Sequence, residues 1–231
     1  RLLLAMDTGA AAGAHAEGEM VSGPSWFLLR GVLAQEQQLR LFSFIRERDA
    51  TDWERLPPCM SPTPKTLQLR QEHGGAQTAP VLSFGPNDEA AVVEVVQRAR
   101  EALGWSRALK SLSVAAIRYC ASGSHPAIGS CLPPHIDHCN DGSWVFLFSL
   151  GCAATFHIKS PAMAQRHTFE MKSGDALIFD PSSQAAVLHG VDGVACAEEA
   201  ASGPGETELG RDLEELRHSR FGVRCRVSLV Q

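Results

Sequence analysis

The second half of the chain consists of short apolar runs separated by turn residues, and this pattern restricts the fold more than any other feature. From residue 112 onward the runs have the length and the β-branched and aromatic content of strands. We predict eight strands, near residues 113–119, 132–137, 144–150, 153–158, 167–172, 176–180, 185–189 and 221–230. Eight short strands behind two helices indicate a mostly β protein with flanking helices, a double-stranded β-helix (jelly roll) or a similar sandwich.

The first half of the chain has a different texture. Residues 1–23 are small and rich in Ala and Gly, which predicts a mobile leader. A short strand-like run at 26–29 follows, and apolar residues at helical spacing predict helices over 34–48 and from Asn87 to Gly104. We therefore expect residues 24–111 to form an N-terminal helical support and residues 112–231 to form the β core.

Charge is distributed unevenly along the chain. Residues 192–217 contain eight acidic residues against Arg211 and Arg217, a net charge of −6, so the rest of the chain carries −5 − (−6) = +1. This predicts an acidic insertion at 192–217 in a nearly neutral domain, which neither supports nor excludes a nucleic-acid partner. No apolar run approaches the roughly 18–20 residues needed to cross a membrane. We expect a monomer without membrane contact.

The seven cysteines contain no CxxC pair. An odd number without a recognisable framework favours reduced thiols and an intracellular location, in the nucleus or the cytoplasm, with an organelle as the alternative.

The segment His135-Ile136-Asp137 is a candidate metal site. In an extended segment the side chains at i and i+2 lie on one face, so both can reach the same ion. His189, at the end of a later β run, is the candidate third ligand. Two histidines and one carboxylate leave three positions of a metal open, as non-haem Fe(II) oxygenases require. The alternative is a surface histidine beside an aspartate in a turn.

Arginines alternate along the last predicted strand, at Arg220, Arg224 and Arg226. Period-two spacing places all three on one face, where they repel one another unless an anion lies between them. A small dicarboxylate fits, since the guanidinium group binds carboxylates in a bidentate manner. The alternative is a solvated edge strand whose arginines prevent aggregation.

Together these motifs make the stretch from Tyr119 to Arg226 resemble the AlkB family of Fe(II)/2-oxoglutarate-dependent dioxygenases. The matching segments keep the family order: Arg118-Tyr119, His135-x-Asp137, Ser149-Leu150-Gly151-Cys152-Ala153-Ala154-x-Phe156, Ser173-Gly174-Asp175, His189-Gly190-Val191 and the closing Arg-x-Gly-x-Arg-x-Arg. The Ser-Leu-Gly-Cys and Ser-Gly-Asp segments and the acidic insertion are most similar to the subgroup of the first human AlkB homologue.

The resemblance implies a role for each matching residue. The catalytic Fe(II) ligands would be His135, Asp137 and His189. Arg220, helped by the Tyr119 hydroxyl, would bind the distal carboxylate of 2-oxoglutarate, and Arg226 would lie near its 1-carboxylate.

This chain departs from the family pattern at three positions. Gly222 stands where the family usually has Asn, Arg224 where it has Thr or Asn, and Ile117 where Asn is common. We expect the lost polar contacts to weaken co-substrate binding unless Arg224 replaces one of them, which leaves a catalytically silent scaffold as an alternative.

The chemistry that the resemblance implies is oxidative demethylation of N-methylated bases in DNA or RNA. 2-Oxoglutarate is converted to succinate and CO2, and the hydroxylated methyl group leaves as formaldehyde. Because such a base must be unstacked, we expect unpaired nucleic acid to be preferred. Residues 49–84, with Trp53, form the candidate lid, and His138 and Cys139 are candidate substrate contacts. The alternatives are an oxygenase acting on a protein or a small molecule, and a catalytically silent scaffold.

Overall fold

The computed structural model describes residues 19–46, 54–55, 65–69, 86–121, 128–196 and 208–230. It contains three helices, α1 (Gln35–Arg46), α2 (Pro86–Ala102) and α3 (Glu208–His218). The strands are β1 (Met20–Gly23), β2 (Trp26–Leu29), β3 (Glu54–Arg55), β4 (Lys65–Leu69), β5 (Leu109–Cys120), β6 (Leu132–His135), β7 (Trp144–Gly151), β8 (Ala153–Lys159), β9 (His167–Met171), β10 (Ala176–Phe179), β11 (Leu188–Ala195) and β12 (Ser219–Leu229).

The strands form two antiparallel sheets. The large sheet has the order β1-β2-β10-β7-β12-β5-β4-β3, and the small sheet has the order β6-β11-β8-β9. β12 pairs with β5 on one side and with β7 on the other, so the strand that carries the three arginines is central. The predicted mostly β jelly roll with flanking helices is confirmed, and β12 is not an edge strand.

Alternating side chains of the large sheet enter two separate hydrophobic cores. One core lies under the helices, where Phe42 and Val96 pack with Phe221, Val223 and Cys225 of β12. The other contains small-sheet residues such as Phe156 and Ile158, packed with Tyr119 and Phe179 of the large sheet. The period of two along each strand therefore directs one face of β12 to the helices and the other to the space between the sheets.

Two of the family-like motifs hold turns together. Gly151 has φ +81°, and a Cβ at this position would lie 2.2 Å from the carbonyl oxygen of Ser219. Asp175 accepts hydrogen bonds from the backbone N–H groups of Gly31 and Lys172, at 2.8 and 2.9 Å. These contacts hold the ends of β7 and β10 in place.

Three sequence-based expectations differ from the structure. Residues 20–23 form β1, paired with β2, so the leader predicted to end at 23 is too long. β11 continues to Ala195, so residues 192–195 belong to the small sheet and not to an acidic insertion. Cys152 and Cys196 form a disulfide, although we expected reduced thiols. Cys152 precedes Ala153 and Cys196 follows Ala195, and these two alanines are paired in the sheet. The cysteines are 44 residues apart in sequence, so the sequence alone did not indicate that they are close.

Within the described ranges, none of the helices is long and apolar enough to span a membrane.

Candidate metal and co-substrate site

Three side chains converge between the sheets at the end of β6. Asp137 Oδ1 lies 3.5 Å from His135 Nε2 and 3.9 Å from His189 Nε2. The ligand atoms of all three residues lie within 4.8 Å of one another. His189 joins the other two because β11 pairs with β6 in a register that places His189 directly opposite His135. The three residues predicted to bind metal therefore form one cluster.

Both imidazole rings are oriented by backbone carbonyls that the sequence did not reveal. His135 Nδ1 lies 3.0 Å from the carbonyl oxygen of Pro133, and His189 Nδ1 lies 3.1 Å from that of Val187. A hydrogen bond from each Nδ1–H leaves Nε2 of each ring as the free ligand atom. The His189 ring also contacts Phe179, with ring centroids 4.3 Å apart.

The electrostatic surroundings favour neutral imidazole at His189. Burial, with the nearby His135, lowers the pKa of His189 to about 4, against the opposing effect of Asp137. A neutral imidazole has a lone pair available for a metal at physiological pH. Two imidazole nitrogens and one carboxylate oxygen are the donor set that suits Fe(II), with three coordination positions left open. The cluster thus fits the implied metal.

Arg220 is a buried cation. Its side chain is 1% exposed, and Nη1 donates hydrogen bonds to the Ser149 hydroxyl and to the carbonyl oxygens of Cys152 and Met171. Burial lowers its pKa to about 10, so the group stays charged at neutral pH. In the described part of the chain Arg220 forms no ion pair, and its Nε has no hydrogen-bond partner. Asp175 favours the charged form of Arg220 electrostatically but does not pair with it directly. A buried charge without a contacting counter-ion is costly, which fits a site for an anionic ligand.

The surroundings of Arg220 include the tyrosine that we predicted there. Tyr119 lies opposite Arg220 in the β5–β12 register, and burial raises the pKa of its hydroxyl above the ordinary value. The hydroxyl therefore stays protonated and can donate a hydrogen bond. Two residues along β12, a Cβ added at Gly222 would make only ordinary contacts, 3.5 Å from Leu147 and 3.7 Å from Tyr119. Gly222 thus adds no side chain to the strand face beside Arg220.

The other two arginines of β12 have different partners. Arg224 Nη1 lies 3.6 Å from Asp137 Oδ2, beside the candidate metal ligands. Arg226 instead donates to Asp141 Oδ2 at 2.6 Å and to the Ser143 hydroxyl at 2.8 Å. The sequence placed all three on one face, and the structure adds that Arg224 contacts the metal cluster while Arg226 binds the loop before β7.

Of the three candidate substrate contacts, His138 and Cys139 lie among the described residues and Trp53 does not. His138, with φ +54°, is exposed, and its Nδ1 lies 3.2 Å from the Ser183 hydroxyl. Cys139 is half-buried, and its backbone N–H donates to the carbonyl oxygen of Pro181. Both residues therefore lie where the loop after β6 meets the loop before β11. Trp53 lies outside the described residues, as does most of the predicted lid at 49–84.

Ser149 is the site residue that sequence reasoning did not single out. It is fully buried and accepts a hydrogen bond from Arg220 across the β7–β12 pair. Its presence in the Ser-Leu-Gly-Cys segment was the available signal, but only the register of β7 against β12 shows its partner.

Comparisons with known proteins agree with this architecture. Similar solved structures include one described as the structure of OsALKBH1 (TM-score 0.60, 19% identity, 90% of this chain and 99% of that chain covered). A prolyl-4-hydroxylase from Pseudomonas putida (0.51, 12%, 90% and 94%) and an oxidoreductase of the 2OG-Fe(II) oxygenase family from Burkholderia pseudomallei (0.55, 13%, 88% and 85%) are also similar. At these identities the likeness shows a shared fold. No curated protein sequence matches the chain.

A family model describes nearly the whole chain. The model of the 2OG-Fe(II) oxygenase superfamily matches residues 27–226, a range that contains the His–Asp–His cluster and all three arginines of β12. The match agrees with the two histidines and one aspartate of the metal cluster and with the buried Arg220, which forms no ion pair among the described residues. The chain therefore belongs to the 2OG-Fe(II) oxygenase superfamily and is a dioxygenase that uses Fe(II) and 2-oxoglutarate.

Proposed function

We propose that this dioxygenase removes N-methyl groups from bases of nucleic acid and prefers unpaired DNA or RNA. The observation that carries the proposal is that AlkB-like motifs distant in sequence meet around one centre. The His135-x-Asp137 segment, His189 and the closing strand with Arg220 all contribute to the space between the sheets. The similarity in fold to the structure named OsALKBH1 is consistent with this substrate class.

In this proposal each residue of the site has a defined task. His135, Asp137 and His189 hold Fe(II), which, with 2-oxoglutarate and dioxygen, supplies the oxidising power for hydroxylation of the methyl group. Arg220 binds the distal carboxylate of 2-oxoglutarate, and the Tyr119 hydroxyl donates a hydrogen bond to the same group. Ser149 keeps the Arg220 guanidinium in place. Formaldehyde, succinate and CO2 are the products.

The exposure of the cluster supports a substrate that enters from one side. The His135 side chain is 39% exposed, whereas those of Asp137 and His189 are each 7% exposed. Solvent thus reaches the cluster beside His135, close to the loop that carries His138 and Cys139. A single unstacked base can enter such an opening while the rest of the polymer stays outside.

The preference for unpaired nucleic acid follows from charge. Outside residues 192–217 the chain carries a net charge of only +1. Affinity for duplex phosphates grows with the number of cations that reach the backbone, so few contacts are available to offset the few kcal/mol needed to unstack a base. An unpaired base removes that cost.

The test is mass spectrometry of methylated oligonucleotides incubated with the enzyme, Fe(II), 2-oxoglutarate and ascorbate. One methylated base is offered in single-stranded, bulged and fully paired contexts at matched salt. We expect demethylation and formaldehyde to appear first in the single strand. The variant His135→Ala should be inactive, and His218→Ala, a histidine exposed on α3, should match the wild type.

Other outcomes would change the proposal. Faster turnover of the paired duplex would contradict the charge argument. Succinate formation without loss of any methyl group from the panel would favour the second candidate, an oxygenase acting on a protein or a small molecule.

A further inference from the structure

We infer that Arg224, and not Arg226, is the cation that binds the 1-carboxylate of 2-oxoglutarate at the metal end of the site. The resemblance to the AlkB family pointed instead to Arg226. The inference rests on the proposed metal ligands and on the proposed role of Arg220, and it adds the second anchor of the co-substrate.

The first argument is that Arg226 already binds a carboxylate of the protein itself. Its guanidinium binds Asp141 at 2.6 Å, its Nε donates to Ser143 at 2.8 Å, and the Ser143 hydroxyl in turn donates to Asp141 Oδ1. Burial raises the pKa of Asp141, but hydrogen bonds from Ser143 and Arg226 outweigh that effect and lower it to about 2. Asp141 therefore stays ionised, and Nε and Nη2 of Arg226 are already occupied by Ser143 and this carboxylate.

The second argument is the position of Arg224. Its Nη1 lies 3.6 Å from Asp137 Oδ2, while Oδ1 of the same carboxylate points toward both histidines. One oxygen of Asp137 is thus available to the metal and the other faces Arg224. At 3.6 Å the ion pair is long, and the Arg224 side chain is 41% exposed, so donors remain free for an anion bound beside the metal.

The third argument is the strand face between the two cations. Arg220 and Arg224 are four residues apart on one face of β12, about 13 Å between their Cα atoms at a rise of about 3.3 Å per residue. Gly222 lies between them and carries no side chain, and a Cβ there would be in van der Waals contact with Leu147 and Tyr119. In the proposed arrangement the dicarboxylate follows this face, with one end at Arg220 and the other beside the metal and Arg224.

This arrangement gives one explanation for both positions of β12 at which the chain departs from the family pattern, Gly222 and Arg224. Arg224 adds a cation where the family has a neutral side chain, and Gly222 removes the side chain that would stand next to it. A cation at position 224 needs room for the anion that it binds, and a neighbour without a side chain leaves more of it than the usual Asn would.

The test compares Arg224→Met with Arg226→Met, since both remove one partly exposed cation from the same face of β12. The co-substrate affinity of the Mn(II)-loaded protein is measured by calorimetry, without turnover. We expect Arg224→Met to raise the dissociation constant of 2-oxoglutarate roughly ten- to a hundredfold, as loss of a charged hydrogen bond implies. Arg226→Met should change it by less than about threefold. Arg224→Lys should recover part of the affinity.

A shorter ligand identifies the end that Arg224 binds. 2-Oxopentanoate keeps the 1-carboxylate and the keto group but lacks the distal carboxylate. Arg224→Met should weaken the binding of 2-oxopentanoate by about the same factor as the binding of 2-oxoglutarate. Arg220→Met should weaken only the binding of 2-oxoglutarate. Affinity for Mn(II) alone is measured in each variant, because Arg224 contacts a metal ligand, and the co-substrate is titrated at saturating metal.

The outcomes separate this inference from the function on which it rests. If Arg226→Met weakens both ligands and Arg224→Met neither, Arg224 is the wrong residue while the co-substrate site stands. If Arg224→Met weakens 2-oxoglutarate but not 2-oxopentanoate, Arg224 binds the distal end and the inference is also overturned. If Arg220→Met leaves 2-oxoglutarate binding unchanged, the proposed co-substrate site itself fails.

Discussion

Replacing Arg220 by methionine should strongly weaken co-substrate binding with little loss of stability in the free protein. The guanidinium is 1% exposed and has three neutral acceptors, on Ser149, Cys152 and Met171, but no paired carboxylate among the described residues. Removing it loses hydrogen bonds of about 1.5–3 kcal/mol each, but it also removes a desolvation cost of several kcal/mol. These contributions nearly cancel, so the free energy of unfolding should change by less than about 2 kcal/mol.

The effect on ligand-induced stabilisation should be much larger. At a concentration 100 times its dissociation constant, 2-oxoglutarate should stabilise the wild-type protein by about 2.7 kcal/mol. Loss of a desolvated charge partner costs roughly 2–5 kcal/mol of binding energy, so the same concentration should stabilise Arg220→Met by less than about 1 kcal/mol. The assay is urea unfolding of Mn(II)-loaded protein with and without 2-oxoglutarate.

The control is Arg166→Met, because Arg166 is an exposed cation paired with Asp192 and should keep the full ligand effect. A variant of Arg220 that retains the stabilisation by 2-oxoglutarate would refute the assignment. A loss above about 4 kcal/mol without ligand would refute the argument that this cation lacks an ion-pair partner, since that is the cost of breaking a buried pair.

Three further predictions concern single contacts of the site. Ser149→Ala should lower the free energy of unfolding by about 1–3 kcal/mol and weaken 2-oxoglutarate binding, since the buried Arg220 loses an acceptor; unchanged values in urea unfolding and calorimetry would contradict this. Gly222→Leu should place a bulky side chain on the face of β12 between Arg220 and Arg224, beside Leu147 and Tyr119, and reduce 2-oxoglutarate affinity at least about tenfold, with Mn(II) affinity unchanged; calorimetry measures both affinities. Asp141→Asn should cost up to about 1 kcal/mol at pH 7, since the pair with Arg226 is half exposed. Because the pKa of Asp141 is lowered from 3.8 to about 2 in the folded protein, this difference should be fully present above pH 3.8 and disappear as the pH falls toward 2; a difference in urea midpoint that grows on acidification would contradict it.

The sequence by itself determined those features that depend on local geometry. Successive side chains of a strand point to opposite faces, so the His135–Asp137 pair and the shared face of the β12 arginines followed directly from their spacing. The helices α1 and α2 and the short strands of the second half were predictable for the same reason. Apolar residues recur in each element at the spacing of a helix or of a strand, so each element can be recognised from its own residues alone.

Only the tertiary structure decided which distant residues meet. The antiparallel register of β11 against β6 places His189 opposite His135, and that of β11 against β8 brings Cys152 to Cys196. Registers of this kind depend on packing between whole sheets, which no local pattern encodes.

The choice between Arg224 and Arg226 also belongs to the tertiary structure. Spacing placed both on one face of β12, but a long arginine side chain reaches several partners, and the nearest carboxylate decides where it ends. The loop before β7 presents Asp141 to Arg226, while Asp137 after β6 lies within reach of Arg224. Local geometry therefore set the face of each arginine, and the packing of loops around the site set its partner.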